Sequence, residues 1–109
     1  MEKRKIDIPP VLLLAFNRPN IVKKVFAEIR KAKPKKLFLV VDGPRPGNKE
    51  DEKNVKEVQK IVSEVDWPCE VKKLFRKENK GIVEGAMKGV GWFFENVEEG
   101  IIFDEDCVP

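Results

Sequence analysis

The chain has 109 residues, 41% of them hydrophobic and 38% charged, with a net charge of +3. That length and balance describe one globular domain or part of one, and exclude a disordered polypeptide. No run approaches the roughly 18–20 apolar residues that a membrane-spanning helix requires.

Two hydrophobic periods alternate along the chain. After the paired prolines, "PVLLLAF" (10–16) is a short continuous apolar run, as expected of a strand buried on both faces. "NIVKKVFAEIRKA" (20–32) follows with Ile21, Val22, Val25, Phe26 and Ile29 at helical spacing, and Pro34 lies beyond its end. "KLFLVVD" (36–42) reads as a second buried strand, stopped by "GPRPG". The segment 48–65 carries acids in its first turn and Val55, Val58, Ile61, Val62 and Val65 on one face, which predicts a helix. Trp67-Pro68 interrupts the pattern, and Trp67 is expected to cover the base of a helix. "CEVKKLFR" (69–76) alternates like a more exposed strand. The segment 80–97 predicts a third helix despite Gly85, Gly89 and Gly91, each costing about 1 kcal/mol against alanine. Their presence points to close packing or close approach. "GIIFDED" (100–106) is the fourth strand.

The order β-α-β-α-β-α-β with short connections predicts a Rossmann-like three-layer α/β sandwich. Its four-stranded sheet should be mostly parallel, with right-handed crossovers. Ligands of such sheets bind at the carboxyl ends of the strands, where the strand order reverses.

That edge collects the polar exceptions of the sequence: Phe16-Asn17-Arg18 after the first strand, Asp42-Gly43 after the second, and Arg76 with Asn79-Lys80-Gly81 after the third. The fourth strand ends in Asp104-Glu105-Asp106. Neighbouring carboxylates repel unless a cation joins them, and Mg²⁺ or Mn²⁺ bridges carboxylate and phosphate oxygens. Arginines neutralise phosphate by forked hydrogen bonds. A lone Asp accepts from a base N–H or a ribose hydroxyl. Together the residues suit a nucleoside diphosphate, whose departure a metal would assist as a Lewis acid. Taken singly, each has a plainer reading: Asp42-Gly43 a turn, Asn17 a turn residue, Arg18 a surface charge, Asn79-Lys80-Gly81 a helix entrance and the acids a solvated loop. Trp92, Phe93 and Phe94 read as core and helix surface.

With no histidine in the chain, imidazole bases and His-based zinc sites are excluded. A metal would have oxygen ligands. "MEKRKIDIPP" has no apolar h-region or small-residue cleavage site, so it is not a secretory signal, and the reading is cytoplasmic with Cys69 and Cys107 as thiols. "RKAKPKK" (30–36) sits at a helix end, where cations are favoured in any case, so no nucleic-acid partner is expected.

"PVLLLAFNRP", "LFLVVDGPR" and "RKENKGIVEGAMKGVGWFFENVEEGIIFDEDCVP" resemble the nucleotide-sugar-binding half of GT-A-type glycosyltransferases. The likeness is to the family-two-like group and to the N-acetylglucosaminyltransferases that begin complex N-glycans. It implies one domain, 1–109, truncated after a DxD-like motif. It further implies that Phe16, Asn17 and Arg18 cradle the nucleoside and reach toward the diphosphate, and that Asp42 recognises the base, typically uracil. By the same likeness Arg76, Asn79 and Gly81 line the donor site. Asp106 would coordinate Mn²⁺ or Mg²⁺, with Asp104 and Glu105 contacting ribose, sugar or metal-bound water. The triplet reads Asp-Glu-Asp where relatives often show Glu-Asp-Asp, which leaves the roles of Asp104 and Glu105 open. The donor would be a nucleotide sugar, a UDP-sugar by analogy, and the acceptor is unknown. The acceptor site and catalytic base of such enzymes lie in a further half, so the 109 residues alone are expected to be inactive. A half-domain leaves apolar surface uncovered, which predicts a homo-oligomer. A non-catalytic nucleotide-sugar-binding module is the alternative. A receiver- or phosphatase-like domain is disfavoured because its key acid follows the first strand, where this chain has Asn17-Arg18.

Overall fold

The computed structural model describes residues 8–105. Four strands and three helices alternate: β1 Val11–Ala15, α1 Pro19–Ala32, β2 Lys36–Val41, α2 Lys49–Val62, β3 Glu70–Phe75, α3 Ile82–Asn96 and β4 Ile101–Asp104. The sheet is parallel throughout, in the order β3-β2-β1-β4. The chain therefore builds outward from β1 to β3, then crosses back to place β4 on the other side of β1. The order reverses between β1 and β4.

Strand alternation divides the core. Val11, Leu13 and Ala15 of β1 and Leu37, Leu39 and Val41 of β2 pack with the apolar faces of α1 and α2. Leu12, Leu14, Phe38 and Val40 point to the opposite face, where Phe93 of α3 is fully buried. The two central strands are thus covered on both sides, which is why they read as unbroken apolar runs.

α3 approaches the sheet closely. A methyl group on Gly89 would lie 2.9 Å from Leu14 Cδ2 and one on Gly85 3.0 Å from Arg76 Nη1, so both glycines meet the expectation of close approach. Gly91 faces open space, and the expectation fails there. The helix begins at Ile82, two residues later than expected, because Gly81 takes φ 85°. α2 ends at Val62, so Val65 lies beyond it, packed on the core from the following loop.

Trp67 closes the far end of the larger core. Its ring packs 5.9 Å from that of Phe26 on α1, and its indole N–H donates to the Pro34 carbonyl at 2.9 Å. Trp67→Phe is expected to cost about 1–2 kcal/mol, the cost of an unsatisfied buried carbonyl, read as a lowered midpoint in urea unfolding.

The sheet edges differ. β3 carries Glu70, Lys72 and Lys73, charges that discourage pairing with other strands. β4 carries Ile101 and Ile102, both about 40% exposed. Ile82, Val83 and Met87 on α3 are more than two-thirds exposed, and Phe94 nearly half. No helix among the described residues is long and apolar enough to cross a membrane.

Candidate functional site

A cleft of about 320 Å³ opens at the carboxyl ends of β1, β2 and β4, at the reversal point of the strand order. Its floor is Leu14, Ala15, Val40 and Ala86, and its polar rim includes Asp42, Arg45, Arg76, Asn79, Asp104 and Glu105. The residues come from four separate loops, brought together because parallel strands deliver all their carboxyl ends to one side.

Asp42 follows β2 and joins two of those loops. Its Oδ1 accepts from the backbone N–H groups of Gly43 and Lys80, each at 2.9 Å. Asn79 Nδ2 donates to the Gly43 carbonyl at 2.9 Å and more distantly to Asp42 Oδ2 at 3.4 Å. Asp42 is 9% exposed and lines the cleft, and among the described residues Oδ2 accepts only that long bond. Gly43 permits the crossing: a methyl group there would sit 2.6 Å from the Glu78 carbonyl carbon.

Arg76 continues the β3 ladder by donating its backbone N–H to Val41. Its Nη1 reaches the Gly85 carbonyl in the first turn of α3 at 3.1 Å, which places the guanidinium on the cleft wall beside Gly81 and Ile82.

Glu105 behaves differently from the expectation that it contacts ribose, sugar or metal-bound water. It is 3% exposed, and its carboxylate accepts from the backbone N–H groups of Phe16 at 2.7 Å, Asn17 at 3.2 Å and Arg18 at 3.3 Å. Those N–H groups lie at the entrance to α1, where a helix N-terminus attracts anions.

The turn after β1 is correspondingly divided. Phe16 lines the cleft. The Asn17 amide donates to Asp51 Oδ1 at 2.9 Å. Arg18 is not among the residues that border the cleft. Asp104, the last residue of β4, lines the cleft. Asp106, the expected metal ligand, lies outside the described residues. Among the described residues no group of three or more acids, cysteines or histidines is gathered to hold a metal.

Sequence reasoning missed Arg45 and Asp51. Asp51, in the first turn of α2, is 2% exposed and accepts from Arg45 Nε at 2.6 Å, Arg45 Nη2 at 2.9 Å, the Arg45 backbone N–H at 3.1 Å and Asn17 Nδ2. Asn48 caps the same turn by accepting from the Asp51 backbone N–H at 2.9 Å. The only signal was an arginine in the "GPRPG" break, six residues before an acid that helix-dipole reasoning already explained.

The Arg45 hydrogen bond, against the opposing effect of burial and with help from Asn17, holds the Asp51 carboxyl far below the usual carboxylate range. A depressed folded-state value means that the carboxylate's contribution to stability is complete above the unfolded value of about 3.9 and is lost as pH falls below it. Unfolding midpoints are expected to fall from about pH 4 downward. Asp51→Asn should flatten that part of the profile while lowering stability at pH 7.

The chain matches no family model, no curated protein and no solved structure.

Proposed function

We propose that this chain is the donor-binding portion of a metal-dependent glycosyltransferase, holding a nucleotide-diphosphate sugar in the cleft above β1, β2 and β4. The observation that carries the reading is the meeting, at the strand-order reversal, of an aromatic ring (Phe16), a braced acceptor (Asp42), an arginine (Arg76) and an acid (Asp104) around one opening. An apolar floor with a few polar groups on its rim suits a ligand with a flat base and a charged tail.

In this reading Phe16 and the apolar floor take the base, and Asp42 Oδ2 accepts from an N–H of uracil or from a ribose hydroxyl. Asn79 and the Lys80 backbone hold Asp42 in place. Arg76, with Gly81 at the entrance to α3, lies toward the diphosphate. Asp104, with Asp106, would hold Mn²⁺ or Mg²⁺, hard cations that take oxygen ligands. When bound, the ion would neutralise charge on a departing diphosphate. Glu105 acts indirectly, by fixing the turn that presents Phe16. The acceptor of the sugar is not specified by these residues.

A non-catalytic nucleotide-sugar-binding module would use the same cleft. The two readings part on sugar transfer and agree on donor binding. The shared element is tested by thermal shift with nucleoside diphosphates, with and without Mn²⁺, because a ligand of the native state raises the melting temperature. UDP is expected to raise it, more so with Mn²⁺. Asp42→Asn keeps the shape and one acceptor oxygen, and is expected to lower UDP affinity about tenfold by replacing a charged acceptor.

Self-association belongs to the same proposal, and its surface would be Ile82, Val83, Met87 and Phe94 on α3. Pairing two β4 edges antiparallel would bring Glu98 and Glu99 of one copy toward Asp104 of the other, and like charges oppose it. Met87→Glu is expected to shift sedimentation toward monomer and to remove any dependence of the melting temperature on protein concentration.

A further inference from the structure

Nucleotide diphosphates carry charge that a cleft must answer, and part of the backbone that could answer it is already engaged. The N–H groups of Phe16, Asn17 and Arg18, in the turn that leads into α1, bind the Glu105 carboxylate. Arg18, the nearest sequence candidate for a phosphate ligand, does not line the cleft. Among the described residues, the cations that border the cleft are two arginines on its rim, Arg76 and Arg45.

Arg45 is the more completely prepared of the two. Asp51 takes its Nε at 2.6 Å and its Nη2 at 2.9 Å, a two-point grip on a planar group. The same carboxylate also receives the Arg45 backbone N–H at 3.1 Å and the Asn17 amide at 2.9 Å, so it is fixed in turn by its own loop and by the turn after β1. The Asp51 side chain is 2% exposed whereas that of Arg45 is 57% exposed. The anchor is buried and the guanidinium is presented. Its centre lies 6.0 Å from the Phe16 ring centroid, on the cleft wall. Nη1 makes no hydrogen bond among the described residues. An arginine so held has lost its rotamer freedom before a ligand arrives, which removes an entropy cost from binding.

We propose that Arg45, oriented by the buried Asp51, is a ligand for the diphosphate of the nucleotide bound in this cleft. Asp51 is then a positioning residue. The inference rests on the donor-site reading above and adds to it the residue that answers the phosphate charge.

The test compares uridine, UDP and inorganic pyrophosphate by calorimetry on the full chain, in wild type, Arg45→Gln and Asp51→Asn. Arg45→Gln should weaken UDP and pyrophosphate about tenfold or more while leaving uridine within about twofold, because a forked charged contact is lost and the base contacts are kept. Asp51→Asn keeps the guanidinium but loosens its anchor, and should weaken UDP by a smaller factor with uridine again unchanged. If Arg45→Gln lowers the melting temperature, the double variant Arg45→Gln/Asp51→Asn, in which two amides can pair, carries the comparison. UDP binding that is indifferent to both variants, or uridine and UDP weakened equally, overturns the assignment of Arg45 and leaves the donor site standing. Wild-type protein that binds neither uridine nor UDP overturns both.

Discussion

Glu105→Ala is expected to lower the free energy of unfolding by about 3–5 kcal/mol, since hydrogen bonds to a charged group contribute about 1.5–3 kcal/mol each and buried donors without a partner are costly. The residue is nearly inaccessible, and three successive N–H groups, of Phe16, Asn17 and Arg18, converge on its carboxylate. Removing it leaves those donors facing a cavity at the positive end of α1. Glu105→Gln keeps the volume and one acceptor but turns an amide N–H toward a donor, and should cost about half as much. Urea unfolding at pH 7 measures both. A loss below about 1 kcal/mol for the alanine variant would mean that the carboxylate is not the brace of this turn.

Gly43→Ala is the second large effect. Its methyl group would fall 2.6 Å from the Glu78 carbonyl carbon, 2.7 Å from its oxygen and 2.7 Å from the Lys77 carbonyl carbon. These are backbone atoms of the β3–α3 loop and cannot move aside as a side chain would. Overpacking of this kind costs about 1–3 kcal/mol, and the upper end is expected here. The functional consequence should be larger than the loss of stability. The displaced loop carries the Asn79 amide and the Lys80 N–H that fix Asp42, so UDP affinity should fall by at least tenfold even where the protein remains folded. Melting temperature and UDP affinity measured on the same variant separate the two effects.

The architecture was legible because its causes are local. Apolar runs of five or six residues in β1 and β2 can satisfy both faces only at the centre of a sheet. Helical spacing over 20–32 and 48–65 supplies the layers that cover one of those faces. The carboxyl-edge grouping was legible for the same reason, since a β-α alternation fixes which end of each strand faces which loop. Phe16, Asp42, Arg76, Asn79, Gly81, Asp104 and Glu105 all border the cleft as that reasoning predicts.

What escaped the sequence was the direction of individual side chains within those loops. Asn17 and Arg18 sit beside Phe16 in the chain, yet only Phe16 lines the cleft, because a turn sends successive residues different ways. Glu105 looked equivalent to Asp104, but the end of β4 sets it against the N–H groups of the neighbouring turn. That pairing spans nearly ninety residues of sequence and leaves no local trace. Arg45 and Asp51 are close in sequence, but nothing in "GPRPGNKED" distinguishes a buried ion-pair anchor from ordinary loop and helix-start charges.

The central claim is that the cleft above β1, β2 and β4 is the nucleotide site. Titration of isotope-labelled protein with UDP, followed by amide chemical shifts, tests it most directly. The account predicts that the largest shifts map to Phe16, Asp42, Gly43, Arg45, Asn79 and Gly85 and that Asp42→Asn needs about tenfold more UDP to reach them. Saturating shifts confined to the α1–α2 side of the sheet, or none at millimolar UDP, would contradict it.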